Sequence, residues 1–89
     1  MQYPTISKEE VAARGRAIYE QAIRDKVEAD NRGKYLVIDI NTGEYEMDED
    51  DVAAMKRAAA NHPDGVLYGM RVGYPTMGRI GTRRAGSPI

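Results

Sequence analysis

The residue type most often used in general acid–base catalysis occurs once in this sequence, as His62, which stands directly before Pro63. Such catalysis needs a titratable group poised near neutral pH, or a nucleophile beside a base. The sequence contains no G-x-S-x-G, no H-E-x-x-H and no P-loop motif that would supply one. We therefore predict that His62 is structural, facing solvent or the negative end of a helix. We also predict that the chain is not an enzyme and uses no cofactor.

Four consecutive acids, Asp48 to Asp51, form the second group with chemical potential. Together with Glu46 they could ligate a divalent cation, but no window fits the D-x-[DN]-x-[DN]-G loop of an EF-hand. Acids at the start of a helix are already explained by capping and by the helix dipole. We interpret Asp48 as the N-cap of a helix and predict no metal site.

Basic residues are concentrated at the C-terminal end of the chain. Residues 34–65 carry three basic and eight acidic side chains, a net charge of −5, whereas residues 66–89 carry four arginines and no acid. Such a layout favours binding to carboxylates, those of a protein partner or of a neighbouring copy of the chain. The predicted partner-binding residues are Arg71, Tyr74, Arg79, Arg83 and Arg84.

Two other interpretations of these arginines remain open. They could contact phosphates, which would give weak, salt-sensitive binding to nucleic acid, since only Tyr74 lies near enough in sequence to stack on a base. They could also belong to a solvated tail that binds nothing.

Length and composition indicate one small domain with a thin core. The chain has 89 residues and no cysteine, phenylalanine or tryptophan, so neither disulfides nor large apolar rings can add stability. Burial against a second subunit is the remaining source, and we predict a homodimer. The sequence shows no secretion signal and no apolar run long enough to cross a bilayer, so we expect a cytoplasmic protein without membrane contact.

The first predicted element is a helix over residues 7–29. The spacing of Ser7 and Glu10 is that of a capping box, and Gly33 can adopt the left-handed conformation that ends a helix. Its inner stripe is predicted from Val11, Gly15, Ile18 and Ala22, widened by Ala12, Tyr19 and Ile23. The small residues of this stripe allow a close approach, either to the chain's own sheet or to a helix of a second copy.

A strand over residues 34–40, a turn at Gly43 and a returning strand over residues 44–47 predict a hairpin. A second helix follows, with an inner stripe of Val52, Met55 and Ala59, and a third strand spans residues 66–74. The resulting fold is α+β, α-β-β-α-β, with an antiparallel sheet of order 2-1-3 and two helices on one face. Residues 1–75 form the domain, and residues 76–89 form a flexible, basic, glycine-rich tail.

One stretch of the sequence resembles small prokaryotic proteins of unknown function that are frequent in cyanobacteria. Those proteins place a strand of the G-K-aromatic-V-x-I type before a hairpin, an acid-capped helix and a final strand. The corresponding features here are residues 33–40, Gly43 to Tyr45, Asp50-Asp51, Pro63 and residues 66–72. The resemblance implies the first partner of a toxin–antitoxin-like pair. We therefore expect an antitoxin-like interaction module that self-associates and binds a protein partner, with weak nucleic-acid binding as the alternative.

Overall fold

The computed structural model describes residues 7–82, with side chains for residues 7–74. Its sheet has the strand order β2-β1-β3-β4, and every neighbouring pair is antiparallel. This confirms the predicted α+β class and the order 2-1-3 of the first three strands. The elements are α1 (Lys8–Ile18), a π-helical turn (Tyr19–Ile23), α2 (Arg24–Asn31), β1 (Tyr35–Asp39), β2 (Tyr45–Asp48), α3 (Asp51–Asn61), β3 (Val66–Arg71) and β4 (Tyr74–Thr82).

The first three elements run on without a break as one long helix, residues 8–31. The hydroxyl of Ser7 accepts the amide of Glu10 at 3.1 Å, which confirms the predicted N-cap. The Glu10 carboxylate binds Arg14 one turn further on, so it does not complete a capping box. At the other end Gly33 has a φ of +91°, the conformation predicted to end the helix.

The buried stripe of the long helix differs from the predicted one. Its buried residues recur every fourth position, at Val11, Gly15, Tyr19, Ile23 and Val27, whereas Ala22 is exposed. With about 3.6 residues per α-helical turn, a four-residue repeat would drift around the helix. The π turn corrects the drift, because its wider bonds, such as Arg24 N–H to the carbonyl of Tyr19, bring Tyr19 and Ile23 back towards the sheet.

The long helix packs on one face of the sheet, against the even-numbered positions of β1 and β3. The closest approach is at Gly15, where an added Cβ would overlap the ring of Tyr68. Of the small residues of the predicted stripe, Gly15 therefore contacts the chain's own sheet, whereas Ala22 does not. The buried residues of this core are Val11, Tyr19, Ile23, Val27, Leu36, Ile38, Ile40, Val66, Tyr68, Met70 and Val72.

The second helix, α3, lies on the opposite face, so the prediction of two helices on one face is wrong. Its Ala54 and Ala58 pack on Val37 and Leu67, which point away from the long helix. The predicted inner stripe of α3 is also wrong in part, because Val52 is 54% exposed. Two methyl side chains give this helix a flat contact with the sheet, and the bulkier apolar residues are left at its side.

The sheet has one strand more than predicted. After a two-residue turn, in which Gly73 has a φ of +87°, β4 returns along β3, so that residues 76–82 of the predicted tail belong to an edge strand. The remainder of that tail, residues 83–89, lies outside the described residues. No helix in the described part of the chain is long and apolar enough to span a bilayer.

Replacement of Gly15 by Ala tests the contact between the long helix and the sheet. Although alanine favours a helix by about 1 kcal/mol over glycine, we expect a net loss of stability of about 1–3 kcal/mol from overpacking against Tyr68. Chemical denaturation of the purified variant measures the difference. In the background of Tyr68→Ala the same change should cost clearly less, because the ring is gone. Equal costs in both backgrounds would contradict the contact.

Candidate interaction surface

A row of two tyrosines and an arginine crosses three strands on the α3 face of the sheet. Tyr35 of β1 pairs with Arg71 of β3, and Arg71 pairs with Tyr74 of β4. Residues that pair directly across antiparallel strands share a face, so all three side chains lie on one side of the sheet. We call these three residues the Tyr–Arg row.

Arg71 is fixed between the two rings. Its guanidinium carbon lies 5.3 Å from the ring centre of Tyr35 and 4.9 Å from that of Tyr74. Its Nε donates a hydrogen bond of 3.0 Å to the carbonyl of Gly33. Both aromatic contacts fall within the range of cation–π attraction, about 6 Å. The half-buried side chain is thus held in one orientation by three separate contacts.

No carboxylate pairs with Arg71 among the side chains described for residues 7–74, in contrast to Arg14, Arg24 and Arg57. The two terminal nitrogens of a guanidinium can bind both oxygens of a carboxylate or a phosphate. Because its orientation is already fixed, such binding would cost Arg71 little conformational entropy. The row can therefore act as a receptor for an anionic group.

The guanidinium of Arg57 fixes the position of α3 relative to the row. It donates to Glu46 at 2.8 Å, to Asp48 at 3.2 Å and to the carbonyl of Met47 at 2.9 Å. Asn61, one turn later on the same flank, donates to Glu46 at 2.7 Å. These contacts attach one flank of α3 to β2, at the edge of the sheet opposite β4.

The other flank of α3 therefore faces the β3–β4 half of the sheet. Val52, Met55 and Ala59 share this flank, since residues three and four positions apart lie on one side of a helix. Met55 and Ala59 are half-buried, whereas Val52 is exposed. Among the side chains described, the exposed large apolar ones are Val52, at 54%, and Tyr74, at 44%. Both lie on this side of the molecule.

Acidic side chains adjoin the row on its β2 side. Asp48 pairs with Tyr35 across the strands, and the exposed Glu49 and Asp50 follow it. We call these three residues the acidic corner. The predicted N-cap at Asp48 is wrong: the helix is preceded by Asp50, and Asp48 instead accepts the Asp50 amide at 2.9 Å. Within residues 7–74 no group of three or more metal-binding side chains is arranged around a common point.

His62 lies at the opposite end of the sheet and links two turns. Its Nδ1 is 3.1 Å from the buried carboxylate of Asp39, and its Nε2 is 3.3 Å from the exposed carboxylate of Glu44. Asp39 also accepts the amide of Asn41 and the hydroxyl of Thr42, which shapes the hairpin turn. His62 therefore contacts carboxylates rather than a hydroxyl nucleophile, and its role in these contacts is to join the end of α3 to the hairpin.

The structure brings together two of the five predicted partner-binding residues, Arg71 and Tyr74. Arg79 is in β4, opposite Gly69, and Arg83 and Arg84 lie outside the described residues. Tyr35 completes the row but was not predicted as a site residue. Only the register between β1 and β3 reveals it, because Tyr35 and Arg71 are 36 positions apart in the sequence.

We compared the chain with family models, with curated proteins and with solved structures. None of the three comparisons gives a match.

Replacement of Arg57 by Ala tests the contacts that position α3. The pKa of Asp48 is held below its ordinary value first by the hydrogen bond from the Asp50 amide and second by the hydrogen bond from Arg57. Loss of Arg57 should raise the pKa of Asp48 part of the way back, because the Asp50 amide remains. Titration of the carboxyl group by NMR measures this, with Arg14→Ala as control. An unchanged pKa of Asp48 would contradict the contact.

The lowered pKa of Asp48 also determines the sign of its effect on stability. A carboxyl group with a lower pKa in the folded state stabilises the fold above its unfolded-state pKa. This stabilisation is lost as the pH falls through the pKa of the folded state. In Arg57→Ala we expect this loss to be smaller and to be complete at a higher pH than in the natural protein, because the folded-state pKa of Asp48 is then less lowered. Acid denaturation can measure the difference.

Proposed function

We propose that the chain is a non-catalytic interaction module that self-associates and binds an acidic protein partner through the Tyr–Arg row. The observation that carries this proposal is the oriented guanidinium of Arg71, held between two rings without a carboxylate partner among the described side chains. Arginine and tyrosine are also the residue types that contribute most to binding energy in protein interfaces.

The surroundings of the row support a protein partner. Val52 and Tyr74 are exposed apolar side chains on the same side of the molecule, which an interface would cover. The adjoining strand β4 is the nine-residue edge of the sheet, and its outer backbone groups can pair with a strand of a partner. The other edge, β2, has only four residues, and two of them are acidic.

The chemistry of the partner follows from the charge of the C-terminal part of the sequence. Residues 66–89 carry four arginines and no acid, so an acidic surface would be attracted and a basic one repelled. The resemblance to toxin–antitoxin-like pairs makes the product of an adjacent gene the first candidate. A cytoplasmic location is part of the same proposal.

Exchange of Arg71 for Glu tests the proposal. Tagged natural chain, Arg71→Glu and the control Arg16→Glu are each expressed in the source organism, and bound proteins are quantified by mass spectrometry. Arg16 is an exposed arginine of α1 without an ion pair among the described side chains. We expect an acidic protein that both the natural chain and Arg16→Glu retain but Arg71→Glu loses.

The candidate is then purified and its affinity for each variant is measured directly. Loss of a charge pair at an interface costs about 2–5 kcal/mol, so we expect Arg71→Glu to weaken binding by at least about thirtyfold. Equal binding of Arg71→Glu and Arg16→Glu would contradict the proposal.

A second candidate function, binding to single-stranded nucleic acid, is favoured by one observation. The structure places a second ring, Tyr35, beside Arg71, so that two tyrosines and an arginine share a sheet face. Bases stack on such rings, and arginine binds phosphate.

A labelled oligothymidylate of about 12 nucleotides tests the second function by fluorescence anisotropy. If it holds, affinity falls steeply between about 50 and 200 mM salt, and Tyr35→Ala and Tyr74→Ala each weaken binding. If the acidic-partner proposal holds, the oligonucleotide shows no binding even at the lower salt, or binding that neither tyrosine variant changes. Tyr45→Ala, on the other face of the sheet, serves as the control.

A further inference from the structure

We propose that a second copy of the chain covers the Tyr–Arg row and the free flank of α3, in a dimer with two-fold symmetry. The symmetry axis runs parallel to the strands, between β1 and β3. This inference rests on the self-association in the proposed function, and it names the surface and the arrangement. The second copy and the acidic partner then compete for the Tyr–Arg row. Three properties of the described residues support it, namely shape, charge and apolar exposure.

The α3 face of the sheet has a step in it. Helix α3 lies mainly over β2 and β1, where Arg57 holds it, and its inward alanines pack on Val37 of β1 and reach Leu67 of β3. Among the described residues no other helix lies on that face, so its β4 side is not covered by a helix. Rotation about the proposed axis exchanges the two halves of the face. The α3 of each copy then fills the step of the other.

The charges of this face are complementary to themselves. Across the sheet from β2, the acidic corner comes first, then Tyr35, then Arg71, which has no carboxylate partner among the side chains of residues 7–74. The same rotation reverses this order in the second copy while keeping the same end of the sheet. Each acidic corner then meets the Arg71 of the other copy, and the two contacts are identical, as a two-fold interface requires.

The exposed apolar side chains lie where such a dimer would bury them. Val52, Met55 and Ala59 form the flank that would meet the equivalent flank of the second α3. Because the axis is parallel to the strands, the two α3 helices run side by side in the same direction, with the two Val52 residues close together. Two helices in contact lie about 8–10 Å apart.

A single introduced cysteine tests this arrangement directly, since the natural chain contains none. With Val52→Cys we expect a covalent dimer after mild oxidation or with a short bismaleimide. Ala17→Cys is the control, because Ala17 is exposed on the outer side of the long helix and should stay uncrosslinked. Equal yields from the two variants would overturn the proposal.

A charge exchange provides the second test, with dissociation constants measured by sedimentation. Arg71→Glu alone and the pair Glu49→Lys with Asp50→Asn should each weaken the dimer by about tenfold or more. A mixture of these two variants should form a heterodimer with nearly natural affinity, because both contacts then join opposite charges. Arg16→Glu and Asp30→Lys, both exposed and outside this face, should leave the dimer unchanged.

Several outcomes would overturn the dimer. These are a natural chain that stays monomeric at high micromolar concentration, a dissociation constant that neither charge variant changes, and a mixture that does not associate. If Arg71→Glu fails to fold, the Val52→Cys and Glu49→Lys/Asp50→Asn variants still test whether this dimer forms. If deletion of residues 83–89 abolishes the dimer while both charge variants retain it, another interface forms it.

The test also separates this inference from the proposed function. Loss of the acidic partner by Arg71→Glu, with an unchanged dimer, would leave the binding function in place and exclude this interface. Loss of the dimer by Arg71→Glu, with unchanged partner binding, would support this interface and exclude the Tyr–Arg row as the binding site of the acidic partner.

Discussion

The attachment of α3 to β2 by Arg57 is the interaction on which the surface of this protein depends. One guanidinium bridges two carboxylates and a backbone carbonyl, and Asn61 adds a further contact with Glu46. Each exposed ion pair alone contributes little to stability, but together they select one side of the sheet for the helix. A helix centred on the sheet would cover the Tyr–Arg row. The off-centre position leaves the row accessible and creates the step beside it.

The long helix packs on the face of the sheet opposite α3. Its glycine at position 15 allows the closest approach to the sheet, at the ring of Tyr68. The π turn then keeps the contact continuous along a four-residue repeat. The main apolar core therefore lies between the long helix and the sheet. The α3 side needs only a small contact of alanines, and its remaining surface is available for binding.

Local features of the fold were predictable from the sequence, because each depends on neighbouring residues. The Ser7 cap, the positive φ of Gly33 and the hairpin with its turn at Gly43 are examples. The face of the sheet on which α3 packs was not predictable, because it depends on a contact of Arg57 with Glu46, eleven positions away in the sequence. The stripe of the long helix was also misjudged, since a regular α-helical period does not anticipate a π turn.

Only part of the candidate site could be predicted for a similar reason. Charge composition singled out Arg71, and Tyr74 lies close to it in sequence. Tyr35 joins them only through strand register, and the significance of Val52 depends on which flank of α3 is attached to β2. Composition thus indicated the sign of the charge at this surface, whereas the shape of the surface could be seen only in the tertiary structure.

The buried hydroxyl of Tyr19 makes the chain its own reporter of unfolding. Burial, followed by the nearby Glu28, raises the pKa of Tyr19, and the Gly73 amide, which acts in the other direction, does not reach hydrogen-bonding geometry. The folded state therefore resists formation of this phenolate. The stabilisation of the fold that comes from the raised pKa of Tyr19 is present below the pKa of Tyr19 in the unfolded state. It disappears as the pH rises through the pKa of Tyr19 in the folded state. Of the six tyrosines of the chain, Tyr19 would thus add its share of the phenolate absorbance at high pH only as the core opens.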